Sequence, residues 1–369
     1  MSRLDELIAE LCPDGVEYKP LSILADLGTG SSNTQDEIED GLYPFYVRSP
    51  IVRRANTYEY NETAIITPGD GVGVGKIYHL VQGKYALHQR AYRIHVKDEG
   101  IILPQFLFRY FESFFGSYIA DTMFKGSVAS IRRPMLEKFP VPILPVMVQQ
   151  EIVRILDHFT ELTAELTAEL TARKKQYEYY RRVLIRRSTQ AKYVSLDDVA
   201  NVFRGEYITK KESKEGNIPV VLGGQEPAYY IDKANHFGEI VTVARSGASA
   251  GFVSYWNEPI FITDGFGFEA KNGISIPKYL YYVLKDREKE LNAMKRGAGV
   301  PHISGEMLGK TELPIPPIED QKHIVSILDS FADICNDLTS GLPAEIAARQ
   351  KQYEYYRDKL LTFKELKKS

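Results

Sequence analysis

The stretch RKKQYEYYRR at residues 173–182 occurs a second time as RQKQYEYYRD at residues 349–358. The distance between the copies is close to half of the 369-residue chain. Solenoid repeats have a much shorter period of about 20–50 residues. The repeat therefore predicts a duplicated half and two similar units on one chain. Such a chain can contact a long, nearly two-fold-symmetric partner at two places, and DNA is the obvious candidate.

The duplication extends upstream of both copies. QQEIVRILDHF at residues 149–159 matches QKHIVSILDSF at residues 321–331, and the proline-rich stretches 139–145 and 313–318 precede them. Proline lacks an N–H donor and restricts the residue before it. We therefore expect extended connectors that end a globular unit and begin a helix, twice along the chain.

Two long helices are the clearest prediction. Apolar and aromatic residues recur at intervals of three or four from about 148 to 185, and again from 324 to 360. A helix of about 40 residues is roughly 60 Å long, so its apolar stripe must be buried against another long helix. The other copy, in antiparallel orientation, is the expected partner. Because proline disrupts a helix interior, we expect a kink or restart with Pro343 in a first turn.

The segments before the helices are predicted to be mainly β-structure, with one helix each after a proline, at Pro104–Ile119 and Pro277–Lys295. The predicted strands are Tyr43–Val47, Thr63–Thr67, Lys76–Leu80 and Tyr92–Val96 in the first unit, and Ile218–Leu222, Ile240–Ala244, Phe252–Trp256 and Pro259–Thr263 in the second. The predicted domains are an N-terminal helical segment 1–17, a first unit 18–145, a spacer helix 146–190, a second unit 191–318 and a C-terminal spacer helix 319–369.

Composition excludes several classes of protein. A hydrophobic fraction of 44% with 26% charged residues is typical of globular domains, and a net charge of −3 means that nucleic-acid binding must come from local basic patches. The two cysteines, Cys12 and Cys335, suggest neither a disulfide framework nor a zinc site. There is no 18-residue apolar run and no signal-peptide pattern, so a cytoplasmic location is expected.

Catalytic motifs are missing from the sequence. The glycine-rich stretch at residues 69–76 has neither the P-loop nor the GxGxxG spacing, and with its counterpart at residues 244–251 it is better interpreted as a turn close to another backbone. GxSxG, HExxH and Cys/His ligand clusters are absent. The tyrosine pairs 179–180 and 355–356 could pack between helices or stack on bases, and helix packing is the favoured interpretation. The chain is predicted to be a binder and not an enzyme.

Basic and polar residues alternate in the predicted loops of both units. Arg, Lys, Gln and Ser are the side chains that hydrogen-bond phosphates and base edges, although a solvated surface explains many of them equally well. The candidate DNA contacts are Arg48, Ser49, Arg53, Arg54, Lys76, His88, Gln89, Arg90, Lys125, Ser127 and Arg132 in the first unit, and Lys233, Arg245, Ser246, Lys295, Arg296 and His302 in the second.

Taken together, these features resemble the specificity subunit of a type I restriction–modification system. The resemblance is carried by residues 4–8 and 12–18, the two proline connectors, both QYEYYR segments and the stretches 126–131 and 297–303. It implies an α+β fold with two β-rich target recognition domains, related by an internal pseudo-two-fold repeat and separated by two long helices in an antiparallel coiled coil. Each domain would read one half of a bipartite DNA site.

The resemblance also implies partners. Two modification (methyltransferase) subunits would dock on the helices, and restriction (translocase/nuclease) subunits would join them. S-adenosylmethionine, ATP and Mg would belong to those partners, with no cofactor in this chain. Two alternatives stay open: a coiled-coil scaffold that binds proteins only, and an enzyme that acts on DNA by itself.

A second repeat lies inside the first long helix, where Glu-Leu-Thr-Ala occurs three times. In the family that the chain resembles, this segment sets the gap between the half-sites. Four residues add about 6 Å and slightly more than one turn, so a repeat unit changes helix length while nearly keeping the apolar stripe. The second helix lacks the repeat. The spacer residues singled out are Glu161, Leu162, Glu165, Leu166, Glu169 and Leu170.

Overall fold

The computed structural model describes residues 3–120, 124–125, 129–186, 190–211, 214–222, 226–297, 301–337 and 340–366. The chain divides into two compact units of α+β structure. Unit 1 comprises the residues up to 165 together with those from 347 onward, and unit 2 comprises residues 166–346. Each unit thus combines a β-rich segment with helical segments from two separate parts of the chain.

Unit 1 has a β-rich body followed by the start of a long helix. Its elements are α1 (Arg3–Leu11), β1 (Glu17–Pro20), α2 (Leu21–Leu24), β2 (Ala25–Thr29), a 3-10 turn (Thr34–Asp36), β3 (Tyr43–Tyr46), β4 (Arg53–Ala55), β5 (Tyr60–Pro68), β6 (His79–Leu87), β7 (Ala91–Val96), α3 (Pro104–Ile119), β8 (Phe124–Lys125), β9 (Ala129–Ser130), α4 (Arg133–Glu137), β10 (Pro140–Ile143) and the first part of α5 (Val146–Arg186).

The sheet of unit 1 has the strand order β2-β7-β5-β6-β3-β4, antiparallel except for the parallel pair β3 and β6. Helix α3 packs against β5. It has Pro104 in its first turn and places its aromatic residues on the buried face, where the rings of Phe111 and Phe115 stack with centroids 4.2 Å apart. Phe139 completes this aromatic core.

Unit 2 repeats the plan of unit 1. Its elements are the remainder of α5, β11 (Lys192–Ser195), α6 (Leu196–Val199), β12 (Ala200–Arg204), β13 (Ile218–Val221), β14 (Tyr230–Ile231), β15 (Ile240–Ala244), β16 (Val253–Trp256), β17 (Phe261–Ile262), β18 (Gly265–Ala270), α7 (Pro277–Asp286), α8 (Glu288–Ala293), α9 (Gly305–Gly309), β19 (Glu312–Ile315), α10 (Ile318–Asn336) and the start of α11 (Leu342–Leu360), which continues into unit 1.

The sheet order β12-β18-β15-β16 in unit 2 corresponds to β2-β7-β5-β6 in unit 1. Strand β13 pairs with the short β17 in parallel, as β3 pairs with β6, so the counterpart of β6 is divided into β16 and β17. A separate three-stranded sheet, β14-β13-β17, results. This common strand order confirms the predicted duplication.

The proline-rich segments are extended and lead into helices, as predicted, and in addition each of them is a strand paired with a partner. β10 pairs with β1 and β19 pairs with β11, both antiparallel, with Tyr18 opposite Pro142 and Tyr193 opposite Pro314. Each pair forms a two-stranded sheet. Proline is tolerated in edge strands because the missing N–H can face away from the neighbouring strand.

A buried glutamine fixes the start of the helix that follows each proline strand. Gln149 Nε2 donates to the carbonyl oxygens of Ile101 and Leu144 at 2.8 and 2.7 Å, and its Oε1 accepts from the Leu103 amide at 2.8 Å. In unit 2, Gln321 makes the equivalent bonds to Ile274, Pro316 and Ile276 at 2.9, 2.8 and 3.0 Å.

The first long helix was predicted for about 148–185, and α5 extends over Val146–Arg186. In unit 1 its Phe159 stacks on Tyr356 of α11 at 5.3 Å, and in unit 2 its Tyr180 stacks on Phe331 of α10 at 5.5 Å. Lys174 of α5 lies near Cys335, so α10 is antiparallel to this part of α5. The second copy is interrupted, and α11 restarts at Leu342 with Pro343 in its first turn, as predicted.

Some predicted boundaries were wrong. Residues 76–78 belong to a turn and not to a strand, because the Lys76 and Ile77 amides bond back to Gly73, and β6 begins at His79. The helix predicted at Pro277–Lys295 is divided into α7 and α8 at Arg287. The strand predicted at Ile240–Ala244 occurs with the same bounds, and the other predicted strands occur with shifts of at most three residues at either end, apart from Pro259–Thr263, of which only Phe261–Ile262 forms a strand.

Candidate nucleic-acid interface

A glycine-containing turn occupies the same place in both units, after β5 in unit 1 and after β15 in unit 2. Gly71 and Gly75 have positive φ angles of 97° and 70°, and Gly247 and Gly251 have 73° and 89°. Such angles are readily adopted only by glycine. Gly75 lies close to Gly116 of α3, and Gly251 lies close to the backbone of Asn292. The predicted approach of this turn to another backbone is confirmed.

Three loop segments meet at this turn in unit 1. The Gly69 amide donates to the Arg90 carbonyl at 2.8 Å, and the Gly71 amide donates to the Ala129 carbonyl at 2.9 Å. The Ile131 amide donates to the Gly69 carbonyl at 2.9 Å. The turn after β5, the residues before β7 and the segment around β9 therefore form one surface.

The same three segments meet in unit 2 through equivalent bonds. The Arg245 amide donates to the Asp264 carbonyl at 3.2 Å, the Gly247 amide to the Pro301 carbonyl at 3.0 Å, and the Ile303 amide to the Arg245 carbonyl at 2.9 Å. Gly69 thus corresponds to Arg245, and Arg90 corresponds to Asp264. Exposed side chains at equivalent places differ between the units while the backbone contacts are kept.

In unit 1 this surface carries a carboxylate between two arginines. Arg48 Nη1 pairs with Asp70 Oδ1, and Arg90 Nη1 lies 3.3 Å from Asp70 Oδ2. The Arg90 side chain is 60% exposed and that of Asp70 is 22% exposed. The guanidinium of Arg90 therefore presents most of its donors to solvent, and the carboxylate lies deeper.

The buried His88 holds the loop that carries Arg90. It is 4% exposed, its Nδ1 accepts from the Arg90 amide at 3.0 Å, and its Nε2 lies 3.5 Å from Thr34 Oγ1. Burial and the charges of Arg48 and Arg90 lower the pKa of His88. The prediction of a direct DNA contact by His88 is corrected, because the ring is buried and orients the loop instead.

The remaining predicted contacts of unit 1 have varied environments. Arg53 pairs with Glu37, Gln89 donates to Asn33, and Ser49 Oγ accepts from the Ile51 amide at 3.1 Å. Arg54 donates to the carbonyls of Gly41 and Leu42 at 2.7 and 3.2 Å, which makes it a support for a loop. Lys76 and Arg132 are exposed. Lys125 lies in β8, and Ser127 lies outside the described residues.

In unit 2 the corresponding surface borders a groove of about 770 Å³. Arg245 Nη1 lies 3.5 Å from Asp264 Oδ1, and Ser246 Oγ donates to Asp264 Oδ2. Three residues predicted from the sequence, Arg245, Ser246 and His302, line this groove. Arg204, Lys210 and the 86% exposed Tyr207 line it as well. The groove combines cations, hydrogen-bonding groups and an aromatic face, as nucleic-acid sites do.

Two other predicted residues of unit 2 lie beside the groove, and one does not border it. Arg296 forms a backbone bridge with His302, with reciprocal bonds of 3.0 Å, and it follows the half-buried Lys295. Lys233 is exposed and lies over the ring of Phe261, 5.2 Å from its centroid, outside the groove lining.

Asp70 and Asp264 were not among the predicted contacts, nor were Arg204, Tyr207 and Lys210. The signal for Asp264 was present in the sequence. Aligning the segments that precede β7 and β18 places Asp264 opposite Arg90, an exchange of charge at one position. Arg204 is the last residue of β12 and corresponds to the neutral Thr29 at the end of β2, so the comparison of the two units gave no signal for it. Tyr207 gave no signal either, because the chain between β12 and β13 has no recognisable counterpart in unit 1.

The helices carry a different kind of surface. In each QYEYYR copy the inner residues pack inside the unit: Tyr177 and Tyr353 contact the cores, and Tyr180 and Tyr356 stack on phenylalanines. Packing, favoured over base stacking for the tyrosine pairs, is confirmed for Tyr180 and Tyr356. The outer residues are exposed, identical between the copies and spaced i, i+3, i+4 on one helix face. They are Lys175, Glu178 and Tyr179 in α5, and Lys351, Glu354 and Tyr355 in α11.

The Glu-Leu-Thr-Ala repeats form regular helix in α5. Their leucines, Leu162, Leu166 and Leu170, are half-buried, and their glutamates, Glu161, Glu165 and Glu169, are exposed. Glu169 Oε1 lies 3.4 Å from Arg173 Nη2. Across the described ranges, we find no cluster of three or more potential metal-ligating His, Cys, Asp or Glu side chains. None of the helices described has the length and apolar composition needed to cross a bilayer.

Comparison with known proteins decides the family. The model of the type I restriction modification DNA specificity domain matches this chain twice, at residues 13–173 and 189–348. The chain belongs to this family. It is a type I DNA specificity subunit, which recognises DNA and is not itself the catalyst, and the scaffold alternative is not favoured.

Several relatives have the same description. A Haemophilus influenzae protein assigned as a type I restriction enzyme specificity subunit is 29% identical over 381 residues, covering 94% of this chain and 96% of the relative. The EcoR124I/EcoR124II specificity subunit of Escherichia coli is 32% identical over 256 residues, covering 62% of this chain and 63% of the relative.

Solved structures show the same fold. The type I S subunit of M. genitalium aligns with a TM-score of 0.64 at 17% identity, covering 94% of this chain and 96% of that one. A chain from a structural study of type I R-M complex assembly aligns with a TM-score of 0.65 at 16% identity, covering 95% and 98%. The fold class predicted from the sequence, two similar α+β domains with long helices, is confirmed.

Proposed function

We propose that each unit reads one half of a bipartite DNA target through the surface formed by its three loop segments. The predicted ranges 18–145 and 191–318 would be the two target recognition domains. One observation carries the proposal: equivalent positions of the two units differ at the basic loops and are identical on the exposed helix face. Two different DNA sequences and one shared partner would require this pattern.

The DNA contacts follow from exposure and charge. In unit 1 we assign them to Arg48, Arg90, Lys76 and the exposed Arg132. In unit 2 we assign them to Arg245, Ser246 and His302, with Arg204 and Lys210 along the groove. Because the net charge of the chain is −3, these patches must supply the attraction to phosphates locally.

The shared partner would be a modification (methyltransferase) subunit, two copies of which dock on the helices. Support comes from Lys175, Glu178 and Tyr179 and their identical counterparts Lys351, Glu354 and Tyr355. Tyr179 and Tyr355 lie edge-to-face against the neighbouring Tyr180 and Tyr356, with ring centroids 5.5 and 5.3 Å apart, and still remain 59% and 63% exposed. Exposed aromatic residues flanked by charges are typical of protein interfaces.

The remaining roles would belong to the partners. S-adenosylmethionine would bind the modification subunits, and ATP and Mg would bind restriction subunits that join the complex. This division would leave recognition of DNA to the present chain. The complex would act in the cytoplasm, where the chromosome and incoming DNA are accessible.

Mapping modified sites tests the proposal. The chain is co-expressed with its modification subunits in cells that lack other methyltransferases, and methylated positions are mapped across the genome. We expect one bipartite sequence with a fixed internal gap. Binding of the complex to that duplex should weaken steeply with salt, because phosphate contacts release counterions. A single undivided sequence, or no methylation above that of cells with the modification subunits alone, would contradict the proposal.

A further inference from the structure

An ion pair joins the same two loop segments in both units, but its charges are exchanged. In unit 1 the carboxylate, Asp70, lies on the turn after β5 and the arginine, Arg90, directly precedes β7. In unit 2 the arginine, Arg245, lies on the turn after β15 and the carboxylate, Asp264, directly precedes β18. The pairing is kept although neither residue type is kept in place.

Stability does not explain this pairing well. The side chains are partly exposed, 60% for Arg90 and 34% for Arg245, and pairs of this kind contribute little to folding. The backbone bonds between the same segments already hold the turn. The ion pair has a different effect, which is to fix the orientation of the guanidinium.

An oriented guanidinium suits a base better than a phosphate. A phosphate requires positive charge, which a neighbouring carboxylate reduces. A guanine requires two donors in one plane, aimed at O6 and N7 in the major groove. A guanidinium has five N–H donors, and one carboxylate can accept only some of them, so an outer edge remains available.

We propose that Arg90 and Arg245 each read a guanine of their own half-site, positioned by Asp70 and Asp264. The inference rests on the proposed function and deepens it. Asp70 and Asp264 are positioning residues, since they act through the arginine. Arg48 pairs with the second oxygen of Asp70 and leaves the cluster with a net positive charge, whereas in unit 2 Arg204 and Lys210 supply cations along the groove.

The chain offers matched controls. Lys97 and Lys271 directly follow β7 and β18, at the strand ends opposite Arg90 and Asp264. Their Nζ atoms donate to the carbonyls of Ser22 and Asp197 at 2.7 and 2.6 Å. Lys97→Ala and Lys271→Ala each remove one positive charge from the sheet of the same unit without affecting the loop surface.

The test uses the full chain in complex with its modification subunits, genome-wide mapping of methylated sites, and methylation rates on duplexes that vary one base pair at a time. Arg90→Ala should lose about tenfold or more of its discrimination at one G·C pair in one half-site and leave the other half-site unchanged. Arg245→Ala should do the same in the other half-site. Lys97→Ala and Lys271→Ala should keep both half-sites.

Asp70→Asn separates base reading from phosphate binding. Removing the negative charge should strengthen binding to random duplex DNA, while the preference for guanine falls severalfold because the arginine is less well oriented. An arginine that only contacts phosphate predicts stronger binding with unchanged preference, and that outcome would overturn the proposal.

Two further results would overturn it. One is a wild-type target with a half-site that contains no G·C pair. The other is that the wild-type target is bipartite but both half-site sequences stay unchanged in Arg90→Ala and in Arg245→Ala. The absence of any bipartite target in the wild-type complex is distinguishable from both, because it contradicts the proposed function itself.

Discussion

Gln149 Nε2 lies 2.8 Å from the carbonyl oxygen of Ile101, and this bond ties the first turn of α5 to the segment that leads into α3. Gln321 makes the equivalent bond to Ile274 at 2.9 Å. Both glutamines are fully buried, and each satisfies three backbone groups at once. The duplicated chain thus uses one side chain twice to set where its recognition body meets its helix.

Replacing either glutamine should destabilise its unit. Gln149→Ala and Gln321→Ala leave one buried N–H and two carbonyls without a partner, which we expect to cost about 2–4 kcal/mol. Chemical denaturation followed by circular dichroism measures the loss, and the fluorescence of Trp256 reports unit 2 for the Gln321 variant. The exposed neighbours give the controls: Gln150→Ala and Lys322→Ala should change stability by less than about 0.5 kcal/mol.

A buried carboxylate holds the end of α5 in unit 2. Asp286 has a side chain only 3% exposed, with Arg181 Nε and Arg186 Nη2 at 3.7 and 3.6 Å from its oxygens. Asp286→Asn leaves the largely buried Arg181 without a counter-charge and should cost about 2–4 kcal/mol. Urea unfolding measures the free energy of unfolding of Asp286→Asn and of the surface control Glu290→Gln. Equal values for the two variants would contradict the prediction.

Acid should weaken unit 1 through His88. The pKa of His88 is lowered by burial and by Arg48 and Arg90, with Asp70 opposing and Arg53 reinforcing the effect. The unfolded chain then binds the proton more readily than the folded one, so stability falls as the pH drops below about 6.5. His88→Gln should flatten this loss in unfolding experiments between pH 7 and 5, whereas the exposed control His158→Gln should reproduce the wild-type slope.

The exposed tyrosines of the helices should govern assembly. Tyr179→Ala and Tyr355→Ala each remove the aromatic centre of one proposed docking face, and we expect a loss of about 2 kcal/mol or more in binding per site. Light scattering should show complexes with one modification subunit for each single variant and none for the double variant. Tyr193→Ala, at a 57% exposed tyrosine of β11, is the control. If the double variant still binds two modification subunits, the docking face lies elsewhere.

The sequence predicted the duplicated parts of the fold well, because identical segments must form the same element twice. It placed α5 to within two residues at each end and foresaw the restart at Pro343. It failed where tertiary contacts decide. The proline segments are strands because β1 and β11 are available to pair with them. The predicted strand at Lys76 does not form because the Lys76 and Ile77 amides donate to the Gly73 carbonyl.

The candidate site could be predicted only in part. Arg90, Arg245 and His302 are basic residues in polar loops, and pattern alone made them candidates. The partner of Arg90 could not be identified, since Asp70 is 20 residues from Arg90 in sequence and meets it only through the packing of loops. His88 shows the opposite error, because a polar loop neighbourhood gives no sign of a buried ring.

The Glu-Leu-Thr-Ala repeat and the family resemblance predict that the length of α5 sets the gap between the two half-sites. Deleting Glu165–Ala168 removes one Glu-Leu-Thr-Ala unit, about 6 Å of helix and slightly more than one turn. Duplex DNA rises about 3.4 Å per base pair, so the gap in the target should shorten by about one or two base pairs. The length-preserving variant Glu165→Gln is the control and should keep the gap.

Mapping methylated sites for this deletion in complex with the modification subunits is the most direct measurement. The account predicts that both half-site sequences stay the same and that only the gap between them becomes shorter. An unchanged gap, or a change in either half-site sequence, would contradict it.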